Sequence, residues 1–406
     1  MNGSNWQIQH QCPQCGAPVI LEETDRILSC AFCRTRLLIV SPGPFHYYIP
    51  APAAAESVYI PYWRLRGLAY QLKPLDITDT YIDTNRRALP LPGLPASLGV
   101  RPQAMKLKFL SRETPGVFLQ PGLKAEDALP RAAAPAGSTA RNVFLGEAVS
   151  LIYSPMTVKG NALCDAFRPG HVISWTDAER GRYPALTPAA RTRTEFLPTL
   201  CPACGWDLQG SRDTLALTCG NCQSAWTCSG AALERTTFIT IGSSGNDDPH
   251  YLPFWRLKVR FEGLVLDSLA DLARLANLPR AITPEMEKRP VYFWSPAFKV
   301  NPALFMRWAR QVTVFQPEPD YTENLPRQNI YPVTLTAPEA LESVPLTLAN
   351  IVTDKRVFFT ALPRLKLHAA ETLLVYQPFA ASPRELIHET MKVVIDRKAL
   401  GFGAFM

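Results

Sequence analysis

Apolar residues in this chain fall mostly in short runs rather than long stripes. Val19-Ile20-Leu21 and Leu37-Leu38-Ile39-Val40 read as strands. The stretch Val58 to Leu68 is longer, and in it Trp63 and Leu65 alternate with Tyr62, Arg64 and Arg66. That period predicts a strand with the first pair on the core face and the other three on the opposite face. Pro61 has no amide to donate, so the strand is expected to lie at an edge or to bulge there. Leu151 to Val158 and Ala162 to Phe167, joined by Lys159-Gly160-Asn161, predict a hairpin turning at Gly-Asn. Helical spacing is rarer. Asn301-Pro302 is a cap followed by a first-turn proline, and Phe305, Trp308, Ala309 and Val312 then share one helical face. Val265 to Leu278 is a second helix, and Met391 to Ile395 a late strand. Leu129 to Asn142, rich in Ala, Pro, Gly and Ser, is expected to be a flexible loop.

The pattern repeats. Tyr59-Ile60-Pro61-Tyr62-Trp63-Arg64-Leu65-Arg66 returns as Tyr251-Leu252-Pro253-Phe254-Trp255-Arg256-Leu257-Lys258, at an offset of 192 residues. Val100-Arg101-Pro102 matches Val300-Asn301-Pro302, and Ile152-Tyr153-Ser154-Pro155-Met156 resembles Val375-Tyr376-Gln377-Pro378-Phe379. Growing offsets of this kind are what loop insertions into one of two copies would produce. The segment Met105 to Phe109, which aligns with the Asn301 helix, alternates like a strand. Because copies of one unit should share structure, a helix is expected in both.

Cysteine gives the repeat its chemistry. Cys12-Pro13-Gln14-Cys15-Gly16 is followed by Cys30-Ala31-Phe32-Cys33, and Cys201-Pro202-Ala203-Cys204-Gly205 by Cys219-Gly220-Asn221-Cys222. In both quartets fourteen residues separate the pairs, and the second lies 189 residues after the first at all four positions. Two residues between paired cysteines let a tight turn aim both sulfurs at one ion, and a glycine behind the pair frees the backbone to turn. The fourteen residues between are expected to form a short hairpin that returns the second pair to the first. Cys12, Cys15, Cys30, Cys33, Cys201, Cys204, Cys219 and Cys222 are therefore candidate ligands of two tetrahedral metal ions. Four cysteines close the coordination sphere, as in structural zinc, and leave no position for substrate. An iron site of the rubredoxin type is the competing assignment. His10 is expected to be exposed rather than a ligand. Cys228 aligns with Ile39 and is expected to be buried, and Cys164 shows no sign of activation.

These knuckles resemble the zinc ribbons of the rubredoxin-like group. The ribbon followed by Tyr-x-Pro-Tyr-Trp-Arg is similar to uncharacterised bacterial zinc-ribbon proteins. The resemblance covers about 70 residues. It implies zinc and a bacterial cytosolic setting, and no activity. The expected architecture is α+β, with two duplicated units. Each is a small β zinc ribbon (ribbon 1, 1–48; ribbon 2, 197–240) followed by a mixed, mainly antiparallel α/β body (body 1, 57–196; body 2, 250–406).

Composition narrows the function classes. Ten cysteines with no basic, apolar signal segment point to reduced thiols and a cytoplasmic protein, and no run reaches a membrane span. The formal charge of +7 suggests nucleic acid until thiolates are counted, because two Zn(Cys)4 sites lower it to about +3. Glu22, Glu23 and Asp25 of ribbon 1 and Asp207 and Asp213 of ribbon 2 make the ribbons acidic, which disfavours phosphate binding there. Body 1 carries 18 Lys and Arg against 11 Asp and Glu. No phosphate-binding loop, His-Glu-x-x-His or Gly-x-Ser-x-Gly is present. His388-Glu389 reads as a surface pair. The leading expectation is a non-enzymatic, zinc-stabilised adaptor or assembly protein whose partner is another protein. The alternative is RNA or single-stranded DNA binding through the basic and aromatic residues of body 1 and the Trp63/Arg64 and Trp255/Arg256 strands. Replacing Cys12 by Ser should then unfold ribbon 1 and spare most of body 1.

Overall fold

A long antiparallel strand pair is the spine of each unit. The computed structural model describes residues 6–51, 57–73, 76–99, 106–128, 141–168, 170–191, 194–230, 232–243, 248–317, 321–326, 328–388 and 390–401. In the first unit Ser57–Lys73 pairs with Arg141–Lys159, whose other side receives Phe45–Tyr48 in parallel. In the second, His250–Glu262 pairs with Lys366–Ala381, and Phe238–Ile241 lies parallel beside the latter. The registers agree. Pro61 faces Tyr153 and Pro253 faces Tyr376, while Tyr48 and Thr240 pair with those two tyrosines from the other side.

Hydrogen bonds repeat with the strands. The Ala88 amide donates to the Pro61 carbonyl, and the Ala297 amide to that of Pro253, each at 3.0 Å. Gly122 and Leu123 donate to the Ala88 carbonyl, as Thr334 and Leu335 do to that of Ala297. The Trp63 indole Nε1 donates to the Leu123 carbonyl at 2.7 Å, and the Trp255 indole to that of Leu335 at 2.9 Å. Each tryptophan of the repeated motif thus ties the spine strand to a loop returning much later in the chain. The strand of Pro61 has neighbours on both sides and no bulge there, contrary to expectation. Beside Pro61, one neighbouring strand ends at Tyr59 and the next begins at Tyr62, so no ladder amide is needed between them.

The two bodies part at the segment after the spine. Pro302–Phe315 is the expected helix, capped by Asn301 and burying Phe305, Trp308, Ala309 and Val312. Its counterpart in body 1 is the strand Lys106–Phe109, so the expectation of helix in both copies is corrected. Leu107 alone of Lys106, Leu107 and Lys108 is buried, and the strand pairs in parallel with Gln7–Gln11 of ribbon 1, which a helix could not do. The helix expected over Val265 to Leu278 shortens to Leu269–Leu275 behind the Ser268 cap. The late strand is Val394–Asp396, and the hairpin turns at Gly160-Asn161, with Gly160 at φ 58°. Of the expected loop, 129–140 lies outside the described residues, as does Val100-Arg101-Pro102.

In ribbon 1 the segment between the cysteine pairs is not a hairpin. Pro18–Glu22 pairs back with Gln7–Gln11, and Ile27–Ser29 pairs forward with Arg36–Val40. In ribbon 2 a single Gln209–Thr218 bridge closes the corresponding segment, and Ala216–Cys219 pairs with Ser224–Ser229. The ribbons also join each other. Glu195–Pro198, leading into ribbon 2, pairs with Arg36–Val40, and the Arg26 and Ile27 amides donate to the Arg212 carbonyl. Ile27, Leu38 and Val40 share one buried cluster with Leu208, Leu217 and Trp226. A second cluster unites ribbon 1 with body 1, from Trp6 and Cys12 to Tyr62 and Trp175. The largest lies in body 2 and takes in Leu68, Tyr70, Leu72, Val143 and Leu145 from the far end of body 1's strand pair.

Candidate metal centres

Two hairpin ends hold each sulfur quartet. In ribbon 1 the Cys12 amide donates to the Ala17 carbonyl and the Gly16 amide to that of Cys12, both at 2.8 Å. In ribbon 2 Cys201 donates to Trp206 at 2.7 Å and Gly205 to Cys201 at 2.8 Å. Gly16 and Gly205 both have φ 73°, a conformation that side chains resist. Cys12–Cys33 and Cys15–Cys30 are 3.7 and 3.6 Å apart at Sγ, and Cys201–Cys222 and Cys204–Cys219 are both 3.5 Å. A tetrahedral ion with sulfur at ~2.3 Å needs sulfur–sulfur edges of about 3.8 Å. All four sulfurs of each quartet lie within 4.8 Å of one another, so the donor sets fit a metal ion in number, type and spacing. In both sites the first and third cysteines are buried and the second is exposed.

Electrostatics point the same way. Hydrogen bonding by Thr35 brings the Cys33 thiol down to about 6. Burial opposes ionisation of Cys201, yet the Ala203 and Cys204 amides and Ser224 bring it to about 6. Cys15, despite the Ala17 amide, and Cys222, despite Ser224, are pushed up to about 12 by burial and the neighbouring sulfurs. Four sulfurs this close cannot all be thiolates without a cation among them, which a divalent ion supplies. Cys228, expected to be buried like Ile39, is exposed. Ile39 packs in the cluster between ribbon 1 and body 1, whereas the Cys228 side chain is not covered in that way.

Behind ribbon 1 lies a charged cluster that the sequence reading did not assemble. Glu23 is 5 % exposed and accepts from Arg64 at 2.8 and 3.1 Å and from Arg66 at 3.0 Å. Arg64 also reaches Asp83, and Arg66 Nε donates to the Tyr81 hydroxyl at 2.7 Å. Burial alone would lower the Arg64 pKa, but Glu23 and Asp83 outweigh it and raise it. The expected alternation holds, with Trp63 and Leu65 in one buried cluster and Tyr62 in another, but the second face is covered too. Arg64 is 1 % and Arg66 3 % exposed, because ribbon 1 covers that face of the strand. Asp25, the next acid, pairs with Arg212 of ribbon 2 at 2.5 Å. Two of the three acids of ribbon 1, Glu23 and Asp25, are thus paired with arginines. A signal existed in part: two arginines two positions apart share one face of a strand and call for an acid opposite them.

In body 2 the motif's cations do something else. Arg256 lies 4.5 Å from the centre of the Tyr292 ring, and Lys258 meets Glu371 at the surface. Trp63, Arg64 and Trp255 are all enclosed. His10, expected to be exposed, stacks on Phe196 at 4.5 Å and meets the edge of Phe109, and burial lowers its pKa. His388, expected on a strand surface, is buried against Phe379, while Glu389 lies outside the described residues.

The chain matches no family model, no curated protein and no solved structure. No helix among the described residues is long and apolar enough to cross a membrane.

Proposed function

We propose that the protein is a non-enzymatic adaptor built from two copies of one ribbon–body unit, with the boundaries read from the sequence and one structural zinc in each ribbon. A closed set of four thiolates suits zinc as a folding element, since nothing is left open for a reacting group. The observation that carries the adaptor reading is the exposed apolar surface beside these rigid centres. Phe32 stands on a ribbon 1 knuckle and Trp206 beside a ribbon 2 knuckle, both largely exposed. On body 2 a groove of about 470 Å³ is lined by Leu264, Val265, Leu275, Val357, Phe358 and Leu362. Its rim carries Asp271, Arg274 and Asp354, and Val265 is 81 % exposed. Apolar patches rimmed by charge are typical of surfaces that meet another protein. An amphipathic helix with basic and acidic flanks is the partner element that fits.

Capture experiments with paired variants test the reading. The same partner should be retained by the wild type and by an Ile282→Asp control, and lost by Val265→Asp/Val357→Asp. Elemental analysis should give two zinc ions per chain. Equal capture by all three proteins, or a coloured iron centre, would overturn the respective part.

A further inference from the structure

The two units treat the outer edge of their spine differently. In body 2 the strand beside Trp255 is Phe293–Pro296, and its outward side is closed. The Trp294 amide donates to Thr313 Oγ1 and the Tyr292 amide to Gln316 Oε1, both at 3.0 Å. Gln316 Nε2 also donates to the Tyr292 carbonyl. One side-chain amide at the end of the Pro302–Phe315 helix thus meets both groups that a neighbouring strand would meet.

Body 1 has a strand in the same place without that cover. Asp76–Arg87 runs beside Ser57–Lys73, with Asn85 opposite Arg64 as Trp294 is opposite Arg256. Where body 2 has the covering helix, body 1 has Lys106–Phe109, which pairs with ribbon 1 instead. The Arg87 amide points outward, to the Ala96 carbonyl at 3.0 Å. The ladder has no bulge, so every second residue back from Arg87 turns its backbone groups the same way. Those of Ile77, Asp79 and Asp83 meet no partner among the described residues. Of the 12 residues of this strand only Ile82 is buried, so nothing described lies over it.

A long edge with open backbone groups is a template for another strand, and its side chains say which. Asp79 and Asp83 share one face, with the exposed Tyr81 between them. Asp79 is exposed, and the Asp83 side chain is 39 % exposed beside Arg64. A second copy paired about Tyr81 would set Asp79 against Asp83, like charge against like. A strand with Lys or Arg opposite the two acids and a β-branched residue opposite Tyr81 is favoured at all three positions. We propose that the edge over residues 77–83 takes an extended basic peptide segment of another protein by strand addition, in the pattern basic-x-apolar-x-basic. The surface is separate from both metal centres and from the body 2 groove.

The probe is a fluorescent, end-capped peptide, Thr-Lys-Thr-Val-Thr-Lys-Thr, titrated with the zinc-loaded full chain and read by anisotropy. Binding should be saturable and weaken with salt. Asp79→Lys should weaken it about tenfold, because a repulsion replaces an attraction. Asp79→Pro removes an outward amide and no bond to Ser57–Lys73, so the fold should survive and the binding be lost. Asp177→Lys, at an exposed acid elsewhere, should bind like the wild type. N-methylation of the valine amide, which faces the edge in this pairing, should abolish binding, and N-methylation of the next threonine should not. Absence of binding, equal binding of the peptide with Glu in place of Lys, or full binding by either Asp79 variant would overturn the proposal. So would a chain dimer, seen by sedimentation, that Asp79→Pro dissolves, since the edge would then belong to a second copy.

Discussion

Removing the Glu23 carboxylate would leave two enclosed guanidinium groups facing each other. Such a loss costs ~3–5 kcal/mol, because the remaining charges cannot recover water. Arg64 keeps Asp83, which is 39 % exposed at its side chain, so the lower end of that range applies. Glu23→Gln should therefore lower the stability read from urea unfolding by about 3 kcal/mol. Asp83→Asn, on the wet side of the same arginine, should cost under ~1 kcal/mol. The contrast is the informative part. If both variants cost the same small amount, the Arg64–Glu23–Arg66 cluster would be a surface ion pair in effect, and the docking of ribbon 1 would rest on apolar contact alone.

At the scale of elements, the ribbon cannot be treated as a detachable head. Gln7–Gln11 continues the sheet of body 1 through Lys106–Phe109, and Cys12 and Cys30 belong to the same buried cluster as Ile60, Tyr62 and Ile152. Cys12→Ser, expected from the sequence to spare body 1, should instead loosen it. Hydrogen exchange should rise at Ile60 and Ile152 as well as at Ile8 and Leu21, while Leu257 and Leu374 in body 2 stay protected. The sequence made the strands, the Asn301 helix and both cysteine quartets legible because period, capping and ligand spacing are local properties. It misplaced Arg64, Arg66 and His10 because their burial depends on which surface lies across from them. It misjudged Lys106–Phe109 by trusting the sequence repeat over the alternation: the two long strand pairs agree in register, but the segments after them differ.

For the whole molecule, the end of the body 1 strand pair decides how independent the two units are. Leu68, Tyr70, Leu72, Val143 and Leu145 lie inside the body 2 core rather than in their own. Polar ties accompany them: the Gly146 amide donates to Glu339 Oε1 at 2.8 Å, and Arg141 to the Leu365 carbonyl at 3.1 Å. The two ribbons are bound through the pairing of Glu195–Pro198 with Arg36–Val40. Separating residues 1–192 from 193–406 would expose those five side chains, each worth roughly 1.5–3 kcal/mol when buried. The loss is comparable to the ~5–15 kcal/mol that holds an ordinary domain together. The 1–192 fragment should consequently be aggregation-prone alone, despite a complete cysteine quartet. Co-expressed with 193–406 it should elute as one complex, and Tyr70→Asp should weaken that complex without removing zinc from either fragment. Two fragments that are each monomeric, stable and indifferent to one another would mean that the shared core contributes little. The two units would then be linked only by the chain.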